Sequence, residues 1–116
     1  MNFAIIVAAG RSKRMKASAN KVLMPLLSKP MIYHAIKNFQ DCGLIHEIII
    51  VTQKKDIKKI NGICHKYNFT KIKKIVEGGK ERQDSVYNGL ASIRNAKNDD
   101  VVVVHNGSNP LVTENE

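Results

Sequence analysis

Residues 3–8 read FAIIVA and run directly into AGRSKRM at 9–15. The first stretch is continuously apolar, rich in β-branched side chains and closed by Gly10. A strand with one wet face would alternate polar and apolar residues, whereas this one reads as a strand buried on both faces, as in parallel sheets. Residues 46–52 (HEIIIVT) and 100–105 (DVVVVH) are runs of the same kind. Residues 71–76 (KIKKIV) are more polar and fit a place nearer the sheet edge.

Helical patterns fill the intervals. From Pro30 the apolar positions are Ile32, Ala35, Ile36, Phe39 and Cys42, with Gly43 as a stop. That spacing has a helical period, and proline suits a first turn. Residues 56–67 repeat Ile57, Ile60, Ile63, Cys64 and Tyr67, interrupted by Gly62. Residues 82–93 place Val86, Leu90 and Ile93 on one face, interrupted by Gly89. The order is therefore strand, long loop, helix, strand, helix, strand, helix, strand. Such alternation predicts βαβ units with right-handed crossovers, a Rossmann-like parallel sheet sandwiched by helices. The 116 residues make one α/β domain. The chain stops soon after its fourth strand, as in an interrupted fold or one completed by another copy in a homodimer.

Bulk properties narrow the function. Apolar residues are 43% and charged residues 25%, a globular balance that excludes a wholly disordered chain. Net charge is +9, from 19 Lys and Arg against 10 Asp and Glu, which favours anionic partners. The clusters Lys54, Lys55, Lys58, Lys59 and Lys71, Lys73, Lys74 read as solvated faces. RNA would answer to the charge, but aromatics are 5% with no Trp, so stacking platforms are scarce and no nucleic acid is expected. Cys42 and Cys64 have no zinc or redox spacing, and Cys64-His65 points two adjacent helical side chains apart. Unpatterned cysteines suit a cytoplasmic protein. The apolar start is too short for a membrane span and lacks a signal peptide's charged flank, so no membrane is expected.

Ligands of parallel sheets bind at the carboxyl ends of the strands. There, Ala8-Ala9-Gly10-Arg11-Ser12-Lys13-Arg14-Met15 offers small residues whose backbone can approach phosphate oxygens, and three cations within four residues. It is neither a Walker loop nor a dinucleotide fingerprint; an ordinary basic turn is the competing reading. Lys21 follows seven residues after Arg14, and taken alone would be a surface lysine. Gly78-Gly79-Lys80-Glu81-Arg82-Gln83-Asp84-Ser85 takes the chain from a strand into a helix, whose N-terminus attracts anions. Asp84 or Ser85 could equally be a helix cap.

Together AAGRSKRM at 8–15, KVLMPLLSKPM at 21–31 and GGKERQDSVYNGL at 78–90 resemble the 2-C-methyl-D-erythritol 4-phosphate cytidylyltransferases of the non-mevalonate isoprenoid route. The related ribitol-5-phosphate cytidylyltransferases share most of the pattern. The likeness runs from residue 3 to about residue 112 and implies a nucleotide-diphospho-sugar transferase fold. It also implies transfer of CMP from CTP to a sugar-alcohol phosphate, with magnesium and release of pyrophosphate. Arg14 and Lys21 match the family's two catalytic cations. Ala8, Ala9 and Gly10, with Arg11, Ser12 and Lys13 beside them, match the loop around the nucleotide. Gly79 and Ser85, flanked by Gly78 and Arg82, match the positions that read cytosine. Where the family has HDAxRP, this chain has His105-Asn106-Gly107-Ser108-Asn109-Pro110. Asn106 replaces the metal-binding Asp and Asn109 the Arg near the sugar phosphate. Two lost charges imply a divergent enzyme or a non-catalytic nucleotide-binding module. The family is about twice as long, so the chain reads as the N-terminal half of a longer cytidylyltransferase.

Overall fold

The computed structural model describes residues 1–9, 21–93 and 100–107. Four strands, β1 (Asn2–Ala8), β4 (Glu47–Thr52), β5 (Ile72–Glu77) and β6 (Val101–Asn106), form one sheet in the order β5-β4-β1-β6. All three pairings are parallel. Helix α1 (Met31–Gln40) joins β1 to β4, α2 (Ile57–Lys66) joins β4 to β5, and α3 (Arg82–Ala91) lies between β5 and β6.

Strand periodicity sorts the side chains between two faces. Ala4, Ile6, Ala8, Ile48 and Ile50 pack with Ile32, Ile36 and Phe39 of α1 and Ile60 and Cys64 of α2. Ile5, Val7, Ile49 and Val51 face the other way, against Val86, Ile93 and Val102. The two faces follow from handedness. The first two crossovers step outward from β1 to β4 to β5 over one face. The third returns to the far side of β1, and a right-handed path then covers the opposite face. The direction reverses at β1, the kind of switch point outside which α/β sheets bind ligands.

Residues 100–105 were expected to be a strand buried on both faces, yet β6 leaves Val101, Val103 and Val104 exposed, at 53%, 38% and 37%. Among the described residues it pairs only with β1 and ends the sheet, so it is covered less than the inner strands. The face expected of α3 holds for Val86 and Ile93 but not for Leu90. Leu90 is 44% exposed, while Ser85 and Gly89 are buried. A Cβ on Gly89 would stand 2.9 Å from both Ile5 Cγ2 and Val51 Cγ2, so the helix approaches the sheet more closely than any side chain allows. Pro30 is the residue before the first turn of α1 rather than within it. The long loop holds an unforeseen hairpin, β2 (Pro25–Leu26) and β3 (Lys29–Pro30). Its two turn residues, Leu27 and Ser28, take φ of 52° and 72°, values that usually call for Asn or Gly.

The lysine clusters also divide. Lys54, Lys55, Lys58, Lys59, Lys73 and Lys74 are exposed as expected, but Lys71 is half-buried and spans two elements. Its Nζ donates to the Cys42 carbonyl at 2.7 Å and the Phe39 carbonyl at 3.5 Å, at the C-terminal end of α1. Lys74 likewise donates to Ser92 O beyond α3, at 2.7 Å. Cations at those positions satisfy carbonyls that the helix leaves over. On β5 the pairing skips Lys73, a bulge beside edge lysines that discourages further strand pairing.

Two glycines make a matched test. Nothing lies within 4 Å of a Cβ on Gly62, mid-way along exposed α2, so Gly62→Ala should stabilise the fold by up to ~1 kcal/mol through helix propensity. Gly89→Ala should instead cost ~1–3 kcal/mol, because the added methyl meets two side chains already in the core. Urea unfolding of the two variants checks the opposite signs.

Candidate nucleotide cleft

At the cleft, β5 and β6 are each extended beyond their ladders by one further bond. Gly78 N–H donates to Thr52 O at 2.7 Å, and Gly107 N–H donates to Val7 O at 2.9 Å. Beyond the end of the β1–β4 ladder, side chains take over. Thr52 Oγ1 donates to Ala8 O at 3.3 Å and Gln53 Nε2 to Ala9 O at 2.9 Å. These contacts hold the carboxyl ends of β1, β4, β5 and β6 around a cleft of about 760 Å³. Val7, Ala9, Gln53, Gly78, Gly79, Arg82, Ser85 and Asn106 are among its lining residues.

The two glycines after β5 are there because nothing larger fits. A Cβ on Gly78 would lie 2.6 Å from Ala9 Cβ and 2.6 Å from Ser85 Oγ. On Gly79 it would lie 2.2 Å from Asp84 Cβ. Ser85, 1% exposed, accepts the Gly79 N–H at 3.1 Å through its Oγ. The hydroxyl proton remains to donate elsewhere. Ser85 thus shapes the turn rather than capping the helix. The capping belongs to Asp84, whose Oδ2 accepts the Glu81 N–H at 3.1 Å in the capping-box manner. Asn88 Nδ2 adds a bond to Glu77 O at 3.1 Å, fastening α3 to the end of β5.

Ala8, Ala9, Gly78, Gly79, Ser85, Arg82 and Asn106 stand at one end of the sheet, with Arg82 exposed at the start of α3. Gly10, Arg11, Ser12, Lys13, Arg14 and Asn109 lie outside the described residues. Lys21 opens a 3-10 turn, Lys21–Leu23, and its side chain also lies outside what is described. Its neighbour Val22 is 4% exposed, and its Cγ1 is 3.4 Å from where a Cβ on Gly107 would be. That anchor puts the backbone of residue 21 beside the ends of β1 and β6.

Gln53, Lys54 and Lys55 were missed as cleft residues. The rule that led to the ends of β1 and β5 applies equally to β4 and would have found them. Cys64 takes no part. Burial pushes its thiol up to about 11, so it stays protonated and inert at neutral pH. Both cysteines are buried and free. Among the described residues no helix is long and apolar enough to cross a membrane.

Against this geometry the chain was compared with known proteins. The family model described as 2-C-methyl-D-erythritol 4-phosphate cytidylyltransferase matches residues 2–116. A protein of that name from Clostridium botulinum (strain ATCC 19397 / Type A) is 45% identical over 112 residues, 97% of this chain and 48% of its own length. The crystal structure of 4-diphosphocytidyl-2C-methyl-D-erythritol synthase from Anaerococcus prevotii superposes with a TM-score of 0.79 at 25% identity, covering 98% of this chain and 46% of that one. The Francisella tularensis 2-C-methyl-D-erythritol 4-phosphate cytidylyltransferase gives 0.73 at 29%, covering 98% and 47%. The chain spans about half the length of the curated relatives it matches.

Proposed function

Because the chain belongs to the 2-C-methyl-D-erythritol 4-phosphate cytidylyltransferase family, we propose that its cleft binds CTP and serves transfer of the cytidylyl group. Within the full-length protein the acceptor is 2-C-methyl-D-erythritol 4-phosphate and pyrophosphate is released, a step in isoprenoid precursor synthesis. The single observation that carries this reading is that Ala9 and Ser85 both crowd Gly78, each 2.6 Å from where a Cβ there would stand. It joins the loop expected around the phosphates to the turn expected around the base.

The chemistry asks for positioning and charge rather than a covalent enzyme intermediate. An acceptor phosphate oxygen attacks the α-phosphorus, the bond from that phosphorus to the bridging oxygen breaks, and pyrophosphate leaves with the electron pair. Arg14 and Lys21 neutralise charge on the triphosphate as it develops. Ala8, Ala9 and Gly10 bring backbone close to phosphate, with Arg11, Ser12 and Lys13 around them. Gly79 and Ser85 read the cytosine, Gly78 giving them room and Arg82 standing at the helix start. A hydrogen-bonding pocket rejects other bases because a mismatch leaves its buried polar groups unpaired.

Magnesium accompanies CTP in this reading, but the described donors do not fit a protein-held ion. Asn106 ends β6 with a neutral amide where magnesium prefers a carboxylate. Among the described residues no three His, Cys, Asp or Glu side chains gather at one point. Asn106 also favours a second reading, a nucleotide-binding module without turnover. Asn106→Asp should make CTP affinity more dependent on magnesium than in the parent, by calorimetry with and without the ion. An unchanged dependence would remove Asn106 from the metal's surroundings.

A cytoplasmic setting completes the proposal, with a homodimer allowed and neither membrane nor nucleic acid as partner; the free, buried Cys42 and Cys64 suit a reducing compartment. The test of function is pyrophosphate release from CTP by the full-length protein with 2-C-methyl-D-erythritol 4-phosphate, alongside CTP titration of the present chain. Release with the acceptor supports transfer. Binding without release selects the non-catalytic module, and no CTP binding removes both.

A further inference from the structure

Gln53 occupies an odd position for a glutamine. It precedes the 3-10 turn Lys54–Asp56 at the N-cap position, where its side chain makes no capping bond. Serine, threonine, aspartate and asparagine are the residues that serve a cap there. Instead the side chain crosses to the neighbouring strand, and Nε2 donates to the Ala9 carbonyl at 2.9 Å. The parallel ladder between β1 and β4 has ended one residue earlier, at the pairing of Ala8 with Thr52. Ala9 O therefore has no ladder partner, and the Gln53 amide replaces one. Thr52 does the same for Ala8 O at 3.3 Å. Two consecutive carbonyls at the exit of β1 are thus held from the end of β4.

From this geometry we infer that Gln53 is a positioning residue for nucleotide binding, one that fixes the direction in which the chain leaves β1. A peptide unit is planar and trans, so holding the Ala9 carbonyl sets the whole plane in which the chain departs. Ala9 also crowds Gly78 alongside Ser85, each 2.6 Å from where a Cβ on that glycine would stand. A departure fixed there keeps the phosphate-facing backbone in register with the base-reading turn. The inference rests on the reading of the cleft as a CTP site. It assigns Gln53 to the triphosphate side and not to the base.

The experiment compares CTP with cytidine as ligands of the present chain, by calorimetry and by competition. Gln53→Met removes the donor and keeps the length; Gln53→Ala is the second variant should the first unfold early. Gln53 is only half-buried, and both are expected to melt with the parent. Loss of one hydrogen bond should weaken CTP roughly three- to tenfold, with cytidine affinity unchanged. An equal fall for both ligands would make Gln53 a general support of the cleft and overturn the inference, as would unchanged CTP binding. Failure of the parent chain to bind CTP is a separate result that strikes the functional reading itself.

Discussion

Lys21→Ala should lower cytidylyl transfer by the full-length protein about a hundredfold or more, the rate equivalent of ~3 kcal/mol of lost transition-state stabilisation. The expectation has two legs. Lys21 matches one of the two cations that the family likeness assigns to the triphosphate. The fold puts its backbone beside the ends of β1 and β6. Val22 is sunk in the core beside Ala8 and packs near Gly107, which pins the turn Lys21–Leu23 to the ends of β1 and β6. The segment is also tied from its other side, since Met31 N–H donates to Met24 O at 2.8 Å. Arg14→Ala should have an effect of the same order. If both cations act on one polyanion, the double variant will fall short of the product of the single losses, because either change already spoils the shared charge arrangement. Stopped-time assays of pyrophosphate release at saturating CTP measure this. A Lys21→Ala enzyme within about threefold of the parent would remove Lys21 from the chemistry, whatever its place in the fold.

The parts of this fold that could be read in the sequence are those where one physical signal dominates. Residues 3–8 and 46–52 became β1 and β4 because a strand covered on both faces has no polar positions to spare. The polar KIKKIV stretch was placed at an edge, and β5 is at the edge. Of the face expected of α3, Val86 and Ile93 do pack on the sheet and Leu90 does not. The centre of the helix's contact surface is made by Ser85 and Gly89, and a count of large apolar residues cannot see a face built by leaving side chains out. Lys71 misled in the same way: lysine usually marks solvent, yet here the helix-end carbonyls of α1 claim its ammonium. In the cleft, the places of Ala9 and Gly78-Gly79 were legible because small residues beside a strand end point to a close backbone approach. Gln53 was not, since its bond joins two strands that no sequence spacing relates.

Gly78→Ala is expected to damage stability and ligand binding together, which few single methyl groups do. The added Cβ would fall 2.6 Å from Ala9 Cβ and 2.6 Å from Ser85 Oγ, with Val51 Cγ1 at 3.3 Å. None of these can give way cheaply. Ala9 is held by Gln53, Ser85 is 1% exposed and bonded to Gly79, and Val51 is a fully buried strand residue. Gly78 is itself fixed by its bond to Thr52. Overpacking of this kind costs ~1–3 kcal/mol. The strain must be relieved by moving the loop and the turn apart, so CTP affinity should fall about tenfold or more, since positioning errors of an ångström are already costly to a polar site. Gly43→Ala is the control, for nothing lies within 4 Å of a Cβ there. Ala9→Gly clears one of the two closest contacts, and the pair Gly78→Ala with Ala9→Gly should be less destabilised than the sum of its parts. Additive losses in urea unfolding would mean that the loop and the turn do not press on each other, and the contact on which the site reading depends would be gone.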